Sequence, residues 1–191
     1  QLKGRPLGHD GDEEDERHAT QVADVLTRLL RRRRSDAEVV SAMDHMERVM
    51  LGAVESMGAL SETQDACKTG RARRVAELAA GIGTALGLPG HSVRGLRVMG
   101  QVIDVGMLQI PREILWRPGP LGAAEFELVK THAERGYEIL SRIEFPWPVA
   151  EAVRQHHERL DGSGYPRGLK GEEILLEARI ATVLDPAVHR Q

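Results

Sequence analysis

From Thr69 onward the apolar residues recur every three or four positions, and no stretch alternates apolar with polar residue by residue. The first pattern is that of helices with one buried face, and the second is what a half-buried strand would require. Val75, Leu78, Ala79, Ile82 and Leu86 mark one helix, stopped near Leu88-Pro89-Gly90. Leu96, Met99, Val102 and Ile103 mark the next, ending at Gly106. Pro111 can open a short helix, because a first-turn residue has no use for its amide. Glu125 to Leu140 reads as a further helix through Phe126, Val129, His132 and Ile139. Trp147-Pro148 opens one that carries Val149, Val153, His156 and His157. A Gly-rich loop covers 160–171, and Leu176 to Leu184 is the last helix. The expected class is all-α.

Length and composition narrow the rest. A chain of 191 residues is one domain of ordinary size with some extra chain. Its formal net charge of −3 argues against a basic nucleic-acid-binding domain, so no DNA partner is expected. The single cysteine, Cys67, excludes a disulfide framework and a Cys-based zinc site. No apolar run reaches the roughly 18 residues of a membrane span. The polar N-terminus offers no signal peptide to read, so a cytoplasmic protein is expected. Gln1 in place of Met is what a fragment of a longer chain would show.

The N-terminal third differs in kind. Residues 1–20 hold Gly4, Gly8, Gly11 and an acidic cluster from Asp10 to Glu16, and read as a solvated, mobile tail. Val22, Val25, Leu26, Leu29 and Leu30 form a short amphipathic stretch ending in Arg31–Arg34. That basic run suits a phosphate or membrane surface, or simply a solvated helix end. A first segment of 1–34 follows. Ser35-Asp36-Ala37-Glu38 fits a capping box that opens a connecting helix over 35–64. Within it Val39, Met43, Met46, Met50, Ala53, Met57 and Leu60 are spaced 4-3-4-3-4-3. This heptad seam fits a second subunit or the chain's own core equally well, and its four methionines can re-pack. Residues 65–191 form the main domain.

The chemistry lies in that domain. His156 follows Val153 by three and Val149 by seven; His157 follows Val153 by four; His132 follows Val129 by three. All three fall on inward faces. Asp104 and Asp185 each end an apolar helix. Helix bundles build metal sites from such groups, and His with carboxylate suits Fe, Mn, Ni or Zn rather than Ca.

The run His156-His157-Glu158-Arg159-Leu160-Asp161-Gly162-Ser163-Gly164-Tyr165-Pro166 resembles the signature of the HD-GYP family. So do Ile110-Pro111, Ile114-Leu115, Pro118-Gly119, Lys130-Thr131-His132, and Ala178-Arg179-Ile180 leading to Asp185. The resemblance implies an HD-type helical bundle behind an N-terminal signalling helix. It also implies metal-dependent hydrolysis of the bacterial second messenger cyclic di-GMP at a two- or three-metal site. It places Asp104, His132, His156, His157 and Asp185 at metal-ligand positions. It places Arg117 at a basic phosphate contact, and Asp161, Gly164, Tyr165 and Pro166 in a substrate-binding loop linked to GGDEF-domain cyclases.

The chain departs from the family pattern at three positions. Arg71 and Ile103 stand where the family has ligand histidines, and Met107 where it has Lys. In two-metal hydrolysis the ions clamp the phosphate and acidify a bridging water. Asp104 keeps its place with one half of its centre stripped, so at most one metal per chain is expected, held by the three histidines with Asp104 or Asp185. Arg71 is expected to stand in for the lost ion beside Asp104 and Asp185, with Ile103 filling the other vacancy by apolar bulk. Three readings follow: a binding or protein-contact module with weak or no phosphodiesterase activity, an active phosphodiesterase with a reduced metal set, or a dimerisation scaffold.

Overall fold

A computed structural model of the chain describes residues 10–63, 70–116 and 118–184. Their regular elements are all helices, with a single isolated bridge between Asp161 and Lys170 as the one extended pairing among them. The chain divides into two compact units, Gln1–Val49 and Met50–Gln191. No helix among the described residues is long and apolar enough to cross a membrane.

Helix α1 runs from Asp10 to Glu62 without interruption. This differs from the expected tail, short helix and newly capped helix. Beyond Gly11 the stretch to Gly52 holds neither Gly nor Pro, so nothing breaks the backbone ladder. Glu38, expected to cap, instead accepts from Arg34 at 3.1 Å across one turn. In the first unit every described side chain from Gln21 to Val49 is exposed.

The second unit takes in the last turns of α1 and holds the core. There Val54 is buried, and Leu51 and Met57 pack beside it, while the seam residues Ala53 and Leu60 stay exposed. Glu62 then caps the next helix. Its carboxylate accepts from the amides of Gly70 at 2.6 Å and Ala72 at 2.7 Å, placing negative charge at the start of α2 (Arg71–Ala85). Helix α2 closes at Gly87, whose positive φ of 72° lets Leu88 N–H reach back to Gly83 O at 3.0 Å.

Helix α3 (Gly90–Val102) ends four residues before the expected Gly106; a 3₁₀ turn over Val105–Gln109 follows. Then come α4 (Arg112–Leu115), α5 (Ala123–Lys130), α6 (His132–Leu140), α7 (Val149–Gln155) and α8 (Leu176–Leu184). Leu96, Met99, Val102, Leu140, Val149 and Val153 form the shared core. Each large apolar side chain buried there contributes about 1.5–3 kcal/mol. Leu78 and Leu86, expected inside, are more than half exposed; Ala76, Ala79 and Ala80 line α2's buried face instead, because small residues let α3 approach.

Candidate metal centre and adjoining cavity

The expected single helix from Glu125 to Leu140 is two helices. At Thr131 the backbone tightens: its amide donates to Leu128 O at 3.1 Å, and its hydroxyl donates to the same carbonyl at 2.6 Å. His132 therefore opens α6. Gly106 sets its position from the other side. A Cβ on Gly106 would stand 1.9 Å from His132 O, so only glycine lets the 3₁₀ turn press against α6.

His156 and His157 follow α7 directly. Gln155 fixes this exit, donating to Glu151 Oε1 at 2.7 Å and accepting from Leu175 N–H at 2.8 Å. Thr182 Oγ1 on α8 lies 2.9 Å from His156 O. Three imidazoles from two segments thus meet in the interior, all buried.

Their hydrogen bonds decide what they can bind. His132 Nδ1 faces Val129 O at 2.7 Å, and His156 Nδ1 faces Val153 O. A carbonyl only accepts, so both Nδ1 atoms carry the proton and both Nε2 atoms a lone pair. His132 Nε2 lies 3.2 Å from both His156 Nε2 and His157 Nε2. Facing lone pairs call for a proton or a metal cation between them. Burial, with the neighbouring His156, His132 and Arg71, pushes His157 far below the usual imidazole range and keeps it in the neutral, metal-binding form. The donor atoms of all three lie within 4.8 Å of one another. The set fits one transition ion.

Asp104 is engaged elsewhere. It precedes the 3₁₀ turn, and its carboxylate is ion-paired with the Arg71 guanidinium, both side chains being under one-fifth exposed. Ile103 beside it is buried among Leu96, Met99 and Val102. Among the described residues, the groups close enough to share one ion are His132, His156 and His157, without Asp104. Asp185 and Arg117 lie outside the described residues.

A cavity of about 400 Å³ opens beside the histidines, lined by Met107, Phe126, Lys130, His132, His157, Arg159 and Tyr165 among others. The Tyr165 ring stacks on His157 with centroids 4.7 Å apart. Lys130 Nζ stands over the rings of Phe126 and Tyr165 at 5.0 and 5.6 Å and pairs with Glu127 at 2.7 Å. Lys130 and Tyr165 also border an open cavity of about 660 Å³ with Pro166, Glu134 and Arg135.

The glycine-rich loop is built for shape. Gly162 has a positive φ, at 83°. Gly164 does not; it is needed because a Cβ there would stand 2.4 Å from Arg159 N and 2.5 Å from His157 O. Asp161 accepts from the Ser163 amide at 2.9 Å and hydroxyl at 2.6 Å, which holds its carboxyl below the usual range. Its side chain is turned to the loop rather than to the cavity. Glu158, to which sequence reasoning gave no role, is buried and accepts from the amides of Arg167 at 2.7 Å and Leu169 at 3.0 Å. It ties the loop to the histidine pair. The available signal was an acid directly following two inward histidines.

Residues 55–186 match the family described as HD domain. The chain is 38% identical over 141 residues to a cyclic di-GMP phosphodiesterase of Thermotoga maritima, covering 73% of this chain and 38% of that protein. It is 34% identical over 152 residues to the cyclic di-GMP phosphodiesterase response regulator RpfG of Xanthomonas campestris, covering 78% and 40%. It is 40% identical over 113 residues to 3'3'-cGAMP-specific phosphodiesterase 1 of Vibrio cholerae, covering 59% and 26%. The chain thus spans about two-fifths of the first two relatives' length.

Proposed function

The chain belongs to the HD-domain family, in its HD-GYP branch, and we propose that it binds a cyclic dinucleotide at a metal centre reduced to one half, with weak or no hydrolysis. One observation carries the reading: the Arg71 guanidinium occupies the Asp104 carboxylate. A planar, permanently charged fork matches a carboxylate and neutralises it as an ion would. It has no open position for a phosphate oxygen and cannot acidify a water.

The chain's own residues divide the binding work. His132, His156 and His157 present three lone pairs for one ion, Fe, Mn, Ni or Zn. A bound ion there would polarise a phosphate oxygen. Tyr165, held against His157, offers a ring face to a base. Lys130 stands at the cavity wall where it can meet a phosphate, while Met107 offers no donor. Arg117 and Asp185 are proposed to add a phosphate contact and a ligand. Glu158 and Asp161 hold the loop that carries Tyr165 and Pro166.

A second reading, an active cyclic di-GMP phosphodiesterase with one metal, is favoured by the convergence of the three Nε2 atoms and by the activities named for the relatives. A cytoplasmic location, a GGDEF-domain cyclase at the loop, and pairing of two copies along the Val39–Leu60 seam complete the proposal.

Elemental analysis of the purified protein with calorimetric titration of cyclic di-GMP tests it. No more than one transition metal per chain and saturable binding are expected. Two or more metals per chain at full occupancy, or no binding, would overturn it.

A further inference from the structure

Helix α1 carries a longer pattern than the Val39–Leu60 seam. In the Gln1–Val49 unit, Val22, Val25 and Leu29 are followed, in unbroken 3-4 spacing, by Arg32, Asp36, Val39, Met43 and Met46. The six apolar members are between 54% and 73% exposed. We propose that Val22–Met46 pairs with the same stretch of a second copy, and that Arg32 and Asp36 form a charged layer by which the seam recognises itself.

The observations select this occupant. A seven-residue repeat is narrower than the apolar stripe of a helix lying in a membrane surface, and it fits a supercoiled partner helix. The stretch is about 36 Å long at 1.5 Å per residue, enough for a stable zipper. Two opposite charges sit at its centre, and neither forms an ion pair within the described residues. An apolar groove or an acyl-chain boundary would bury both, with only their own attraction across one turn to offset the cost. A second copy brings each its counter-charge, since Arg32 of one helix meets Asp36 of the other. An antiparallel partner sets the two directly opposite; a parallel partner puts like charges within each layer and the counter-charge in the adjoining one. The neighbouring Arg34 is already matched by Glu38 on its own helix, which lowers the repulsion between basic runs. Polar layers in such seams set register and partner choice.

The proposal rests on the pairing of two copies and is tested with the whole chain by sedimentation equilibrium over a range of concentrations. Wild type should approach twice its 21.1 kDa mass. Arg32→Asp and Asp36→Arg should each weaken association by about tenfold or more, and the double swap should restore it. Because the two charges are also one turn apart on the same helix, far-ultraviolet circular dichroism of each variant, with helix content unchanged, distinguishes lost pairing from lost helix. If Met46→Glu disrupts the dimer while neither charge reversal changes it, pairing stands and the charged layer is refuted. A double swap that stays dissociated also refutes the layer. A wild type at single-chain mass throughout refutes both.

Discussion

Arg71 and Asp104 hold the pivotal contact of the domain. Both are largely buried, so removing one partner takes from the other its close counter-charge. Arg71→Ala is expected to cost about 3 kcal/mol in urea unfolding, against about 0.5 for an exposed change. A neutral result would remove the pair's structural role. His157 gives a pH signature. Its folded form resists protonation while the unfolded chain titrates near 6.5, so stability is full above that pH and falls below it. Between pH 7.5 and 5.5 the metal-free protein should lose about 1.4 kcal/mol on this account, and His157→Gln should lose less. An equal loss in both proteins would assign the effect elsewhere. The three histidines were legible because three- and four-residue spacing from Val129 and Val153 fixes an inward face. Glu158 was not, because a carboxylate in a polar run reads as solvated until the amides of Arg167 and Leu169 are seen to fold back on it.

At the scale of elements, the heptad reading merged two faces of one helix. From Met50 onward Leu51, Val54 and Met57 serve the core, while Ala53 and Leu60 remain outside, and only Met57 belongs to both sets. Among the described residues, Ala53 and Leu60 thus leave the outer face exposed. Met46→Glu with Met50→Glu would place like charges in that seam, and light scattering should show the mass halved. An unchanged mass would remove the seam as the contact. The boundary at Thr131 was hidden for a local reason. Apolar spacing continues across it, and the break comes from one hydroxyl and one tightened amide at Leu128 O. The end of α7 at Gln155 was hidden in the same way, since the inward period runs on through His156 and His157.

For the whole molecule, periodicity was enough for the all-α class, because burying one face of each helix requires a common core. It was not enough for the long α1, whose register says nothing of where a helix begins. The family's hydrolytic centre needs two clusters of ligands around Asp104. On the proposed reading, the three histidines supply one cluster and the Arg71–Asp104 ion pair beside Ile103 takes the place of the other. Arg71→His, Ile103→His and Met107→Lys together should reverse that exchange. The variant should be less stable without metal, since Ile103 lies in the core, and regain stability when metal is added. The most direct test of the central claim is turnover of cyclic di-GMP by metal-loaded wild type beside this triple variant. Wild type should bind the nucleotide and release little or no linear product, and the variant should hydrolyse it measurably faster. Wild-type turnover at an enzyme's usual rate, about 1 s⁻¹ or more, would contradict it.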